Sequence, residues 1–376
     1  MTDAGLLVQA AERFGTPLYV TDLDVATSRA AAWREALPGA LVAYAVKANP
    51  DPALIRRLAH EGYGFEVVGP VELALAQRAG AEPDGIVVNG VGQTDEDLTA
   101  ALAKGALVNA ESLGALETLV RAGTGRIGIR VNPGIAADTH RHLATGAAGS
   151  KFGIALDELA AARWILDASG RHVASIGAHI GSAIGDAEPY ARLAERLARL
   201  AADLGADRVD LGGGYTGPPD QLASAVAPHL PDPARLIVEP GRSVVAEAGW
   251  LVTRVVRVQR GHLVADAGMT ELIRPMLYGA SHPVSVLRPG AAVDERSWTL
   301  SGPVCEAGDI LAEHLSLGGD VGEGTLLAVG EAGAYGLAMA SGYNGRLLPA
   351  QAVIESGEVR LSRRRQTLED VVARDA

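Results

Sequence analysis

Short apolar runs recur along the first two thirds of this chain, and their rhythm restricts the fold more than any other feature. They stand at 41–46, 64–68, 85–90, 106–110, 126–133, 175–181, 208–214 and 235–241. The first five follow one another at about 20 residues, the length of one strand plus one helix. Most are separated by segments rich in Ala, Leu, Glu and Arg, such as 71–80 and 161–170. Eight such units predict a closed parallel (β/α)8 TIM-like barrel, with an open doubly wound sheet as the alternative. Polar and glycine residues follow the runs: Lys47, Asn49, Asn89, Asn132, His179, Ser182, the triplet Gly212 to Gly214, Glu239 and Arg242. In a barrel those strand ends share one face, so the side chains converge.

Past Arg242 the rhythm changes. The stretches 246–268, 296–305, 324–336 and 351–366 read as strands with turn signals and little helix, and Glu355 to Glu358 as a hairpin turn. This is a second, β-rich domain, which the early strand at 17–22 joins. The expected division is 26–248 for the barrel, with 1–25 and 249–376 forming the β-domain. Near the N-terminus, 6–15 reads as helical with Gly15 as its stop, and Asp24 as the N-cap of a helix reaching Arg34 and Leu37.

A length of 376 residues suits a large barrel or two domains. The net charge of −12 argues against a nucleic-acid or anionic-membrane surface. The single cysteine excludes an internal disulfide framework and a multi-thiolate metal site and fits a reducing compartment; no metal is expected. Neither a signal peptide nor a membrane-length apolar run is read, and cytoplasmic localisation is expected.

Several residues are candidates for chemistry. Lys47 ends an apolar run, where desolvation favours a neutral, nucleophilic amine; the plain reading is a snorkelling lysine. Gly213 and Gly214 allow backbone N–H groups to approach a phosphate. Glu239 is either a buried salt-bridge partner or the acid that keeps a pyridine nitrogen protonated, and Arg242 offers a fork for phosphate or carboxylate. His179 is either a core histidine or a ring stacked on a flat cofactor, and Ser182 either a turn cap or a phosphate donor. Cys305 is either a small buried hydrophobe or, beside Glu306, a proton donor. Arg274 and Tyr278 are either a surface arginine and a packed tyrosine or a pair holding a substrate carboxylate, and Tyr335 with Tyr343 and Asn344 adds to the polar content of the second domain.

Taken together, YAVKANP (44–50), THRHLATGAAGSKFGI (139–154), HIGS (179–182), DLGGGY (210–215), EPGR (239–242), DAGMTELIRPMLYGA (266–280), GPVCEAGD (302–309), GAYGLAMASGYN (333–344) and RRRQTLED (363–370) resemble the fold-type III pyridoxal-phosphate decarboxylases, in particular the diaminopimelate decarboxylase branch. The resemblance runs in order from about residue 15 to residue 370. It implies an alanine-racemase-like barrel with a C-terminal β-domain, and pyridoxal 5′-phosphate as cofactor. It further implies that Lys47 holds the cofactor aldehyde, that His179 stacks on the ring and that Glu239 pairs with its nitrogen. Ser182, Gly213, Gly214 and Arg242 would surround the phosphate, with Tyr335 against the cofactor and Gly241 also among the cofactor-binding residues. Arg242, Arg274 and Tyr278 would reach a distal substrate carboxylate. Cys305 and Glu306 would arrive from the partner subunit of a homodimer with shared active sites, the thiol as proton donor.

The activity implied is decarboxylation of meso-diaminopimelate to L-lysine. A related decarboxylase acting on another amino acid or an amino-acid conjugate is the alternative, with a racemase or a pyridoxal-phosphate carrier further off. This chain departs from the family pattern at Ala183, Glu66, Gly69-Pro70, the VNGVGQT turn (88–94), GRLLP (345–349) and a short 214–239 interval. Those departures surround the mouth and bear on the substrate. The loop at 138–152 is expected to cover that mouth.

Overall fold

The computed structural model describes residues 2–135, 146, 149–287 and 293–373, with the side chains of 293–295 left aside. The described chain divides into two compact units. One comprises 28–50 and 55–243; the other comprises residues up to Thr27, Asp51–Leu54, and the chain from Val244 onward.

The first unit is a closed parallel barrel of β2 (Leu41–Ala45), β3 (Gly64–Val67), β4 (Ile86–Val88), β5 (Leu107–Ala110), β6 (Arg126–Arg130), β7 (Val173–Gly177), β8 (Arg208–Asp210) and β9 (Leu236–Val238), each paired with the next and β9 with β2. The doubly wound alternative is thereby set aside. Local sequence explains the surrounding helices. In Glu188–Leu204, Leu193, Leu197 and Ala201 repeat at the helical period and are buried, Pro189 occupies the first turn, and Gly205 ends the helix in the left-handed region at φ 69°. Helix Asp95–Ala103 opens with a capping box between Thr94 and Asp97.

The barrel interior is layered by the two-residue period of its strands. Ala43, Val87, Leu107 and Ile237 pack together as an apolar cluster. Two residues further along three of these strands come Asn89, Asn109 and Glu239, all buried. The apolar cluster thus supports a polar layer at the C-terminal end of the barrel.

The second unit is a sheet ordered β14–β13–β11–β10–β1–β16–β17, made of β1 (Leu18–Asp22), β10 (Gly249–Gln259), β11 (His262–Ala265), β13 (Val293–Ser301), β14 (Ile310–Gly318), β16 (Ala350–Glu355) and β17 (Glu358–Arg363). β12 (Val284–Val286) and β15 (Leu326–Val329) attach through the β10–β15 pairing. β1 lies between β10, antiparallel, and β16, parallel. Ser356 and Gly357, at φ 51° and 78°, form the tight turn between β16 and β17.

One cap differs from expectation. The helix Leu23–Ala36 is capped by Asp22, whose Oδ1 accepts from the N–H groups of Asp24 and Val25 at 3.1 Å each, so Asp24 lies in the first turn. Both aspartates are acceptable near a helix N-terminus, and the strand's end point decides which one faces the free amides.

Candidate active site

The polar layer floors a cavity of about 280 Å³ in the barrel, lined among others by Lys47, Glu66, Asn89, Arg130, His179 and Glu239. β2 ends at Ala45, and Lys47 sits in the short 3-10 turn Val46–Ala48 that follows. Its amine is not the isolated, desolvated group expected from an apolar run. The side chain is 36% exposed, and it pairs with Glu66, whose side chain is 1% exposed.

Glu239 follows β9 and is buried. Asn89 donates from Nδ2 to Glu239 Oε1 at 2.7 Å, and Glu239 hydrogen-bonds Asp210 on the neighbouring strand. Burial, then the Asp210 and Glu66 carboxylates, push Glu239 well above the usual carboxylate range, with Lys47 opposing. Burial raises Asp210 to about 6, while the Gly212 N–H, donating to its Oδ1 at 2.8 Å, pulls the other way. The two carboxyl groups share a hydrogen bond, and burial favours the protonated form of Glu239.

His179 is held well below the ordinary imidazole range by burial, and then by the positive charges of Arg130 and Lys47. The ring is neutral, and its Nδ1 accepts from the Gly213 N–H at 3.1 Å, which leaves the hydrogen on Nε2. The glycine triplet thus has a role beyond a phosphate contact. A Cβ on Gly213 would lie 2.2 Å from the Glu239 carbonyl oxygen, and one on Gly214 1.9 Å from the Gly181 carbonyl oxygen. The triplet lets the turn after β8 press against both neighbouring strand ends. In the same corner Arg242 Nη2 donates to Ser182 Oγ at 3.3 Å, and Gly241 packs close to Ala45 and Ala48. Ala183, beside Ser182, adopts φ 60°, a left-handed backbone rare for a residue with a Cβ.

These groups fit pyridoxal 5′-phosphate. The cavity offers an amine for its aldehyde and a raised-pKa acid that a cationic ring nitrogen would convert to carboxylate. A glycine-lined turn beside a hydroxyl and a guanidinium suits its phosphate.

The remaining candidates lie in the sheet unit. Arg274 is buried, its guanidinium 5.5 Å from the Tyr278 ring centre and 6.0 Å from that of Tyr335. Cys305 is exposed rather than buried, and Glu306 Oε1 accepts from Tyr343 OH at 2.7 Å. The loop bearing them is tied down by Asp309: its Oδ1 accepts from Met269 N–H at 2.6 Å and its Oδ2 from Val304 N–H at 2.7 Å. Most of the 138–152 loop lies outside the described residues.

Sequence reasoning left Asp210, Asn109 and Arg130 out of the site, and noticed Asn89 only as a polar residue after a run. The signal was present as the alternation Val87-x-Asn89, Leu107-x-Asn109 and Ile237-x-Glu239, an apolar residue followed on the same strand face by a polar one.

Residues 23–246 match the family described as "Pyridoxal-dependent decarboxylase, pyridoxal binding domain". The diaminopimelate decarboxylase of Deinococcus radiodurans is 40% identical, over 98% of this chain and 97% of that protein. That of Pseudomonas aeruginosa is 39% identical, over 98% and 94%. The crystal structure of diaminopimelate decarboxylase from Helicobacter pylori complexed with L-lysine superimposes with a TM-score of 0.92 at 31% identity, covering 98% of this chain and 99% of that one. With a barrel and a β-domain of this topology and near-complete alignment to such relatives, the chain belongs to the pyridoxal-dependent decarboxylases, in their diaminopimelate decarboxylase family.

Proposed function

We propose that this chain is a pyridoxal-phosphate-dependent carboxy-lyase that converts meso-diaminopimelate to L-lysine and CO2. The observation carrying the reading is that Lys47, His179 and Glu239, from three separate strand ends, line one cavity in a chain aligned over almost its whole length with diaminopimelate decarboxylases.

When bound, pyridoxal phosphate supplies the electron sink for the pair released as the Cα–carboxylate bond breaks. Lys47 would provide the amine that holds its aldehyde. Glu239 keeps the ring nitrogen protonated, and neutral His179 presents its face to the ring without adding a competing charge. Ser182, Gly213, Gly214, Gly241 and Arg242 hold the phosphate, and Tyr335 contacts the cofactor. Arg242, Arg274 and Tyr278 receive the distal carboxylate of the substrate, and Glu306 its distal ammonium. The Cys305 thiol returns a proton to Cα. Cys305 and Glu306 act in the site of the partner subunit, so the working unit is a homodimer. The single cysteine fits a reducing compartment such as the cytoplasm.

The departures Glu66 and Val91 in the cavity lining, with Ala183 beside Ser182, favour a second reading, in which the same chemistry acts on another amino acid with a distal carboxylate. Purified protein loaded with pyridoxal phosphate is incubated with meso-diaminopimelate and with a panel of such amino acids, and CO2 and amine products are measured. Equimolar CO2 and L-lysine from meso-diaminopimelate are expected. Robust CO2 release from another amino acid and none from diaminopimelate rejects the first reading in favour of the second.

A further inference from the structure

Asn89 stands at the end of β4 with its side chain between two carboxylates, and nothing in the reaction as described assigns it a role. Its Nδ2 donates to Glu239 Oε1 at 2.7 Å and to Glu66 Oε1 at 3.3 Å. Its Oδ1 accepts from Asn109 Nδ2 at 2.9 Å, and Asn109 Oδ1 accepts in turn from Ser175 Oγ at 3.1 Å. Asn109 and Ser175 sit on strands separated by β6, and the chain crosses that strand because Gly128 leaves the space open. A Cβ there would fall 1.8 Å from Asn109 Oδ1 and 2.4 Å from Ser175 Oγ.

The direction of this chain is forced. An ionised carboxylate only accepts hydrogen bonds, so Asn89 must turn its NH2 to the acids and its oxygen to Asn109, which repeats the choice toward Ser175. Glu239 Oε1 accepts from Asn89 whether or not the other oxygen carries a proton. The bond is stronger when the acid is ionised. Asn89 therefore favours the form of Glu239 that a cationic ring nitrogen needs, and it does so through the same amide that holds the counter-ion of Lys47.

We propose that Asn89 is a positioning residue for the cofactor: its amide fixes Glu239 and Glu66 as one unit, setting the acid for the ring nitrogen in register with the partner of the cofactor-bearing lysine. The proposal rests on the reading of this cavity as the pyridoxal-phosphate site and adds to it a residue that acts through its neighbours.

Asn89→Leu, which fills the space but cannot donate, and Asn89→Ser, which is too short to reach both acids, are prepared as apoproteins. Pyridoxal phosphate binding is then titrated by absorbance. The dissociation constant is expected to rise about 10-fold, the scale of losing one hydrogen bond to a charged group. In the loaded variants kcat is expected to fall at least about 10-fold, with KM for the amino acid within about 3-fold of wild type. A merely structural role would lower the unfolding temperature and leave the dissociation constant of the folded protein unchanged. An unchanged constant in whichever variant folds, or a rise in KM alone, overturns the proposal. The constant is read without any amino acid, so a wild-type protein that releases no CO2 from diaminopimelate would overturn the substrate assignment and leave this test standing.

Discussion

Glu66 lies beside Ala45 in the β2–β3 ladder, and its carboxylate receives the ammonium of Lys47, which follows two residues after Ala45. Adjacent parallel strands thus deliver an amine and its counter-ion to one edge of the cavity. Removing the anion leaves more of the amine in its uncharged, nucleophilic form at neutral pH. Glu66→Gln is expected to load pyridoxal phosphate about 3- to 10-fold faster near pH 7, as measured by the growth of the visible absorbance of apoprotein mixed with cofactor. Slower loading would mean that Glu66 acts by taking a proton from the amine rather than by holding its charge.

Lys47 is the amine that lines the cavity near Glu239. Lys47→Ala is expected to abolish the yellow colour of the loaded protein and reduce turnover below detection, while the circular dichroism spectrum of the fold is retained. A colour surviving dialysis would show that another amine carries the cofactor.

Asp309 is buried, and its carboxylate holds two backbone N–H groups, those of Met269 and Val304. The bonds tie the loop of Cys305 and Glu306 to the segment leading to Arg274. A Cβ on Gly268 would lie 2.5 Å from Asp309 Oδ1, so the fit depends on glycine as well as on the acid. Asp309→Asn turns an NH2 toward one of the two donors and is expected to cost about 2 kcal/mol of stability by denaturant unfolding. It should also raise KM for the amino acid while the dissociation constant for pyridoxal phosphate stays at the wild-type value. An unaltered KM would show that the loop holds its place without this carboxylate.

Burial raises Asp210 from an ordinary carboxylate value to about 6 in the folded apoprotein. The folded state therefore binds more protons than the unfolded chain between about pH 4 and 6, and this residue's contribution to stability falls as pH rises across that window. Asp210→Asn keeps the shape and removes the titration. The variant is expected to gain more stability relative to wild type at pH 7 than at pH 4.5, read from urea midpoints of the two apoproteins. An equal difference at both pH values would place the ionisation outside this window.

The sequence by itself determined the barrel rhythm, the hairpin at Ser356-Gly357 and the identity of the groups that bear the chemistry. These are written in local period and residue type: two-residue alternation within strands, the 3.6-residue repeat of helices such as Glu188–Leu204, and a lysine, a histidine and a glutamate at strand ends. Only the tertiary structure decided how those groups are paired. Asn89 and Glu239 are 150 residues apart and meet because the barrel closes. The tautomer of His179 is set by a Gly213 N–H from another strand's turn, and the Lys47 amine is ion-paired rather than bare because Glu66 occupies the next strand at matching height. Closure and register are properties of the whole sheet, and no window of the chain short enough to read for periodicity contains them.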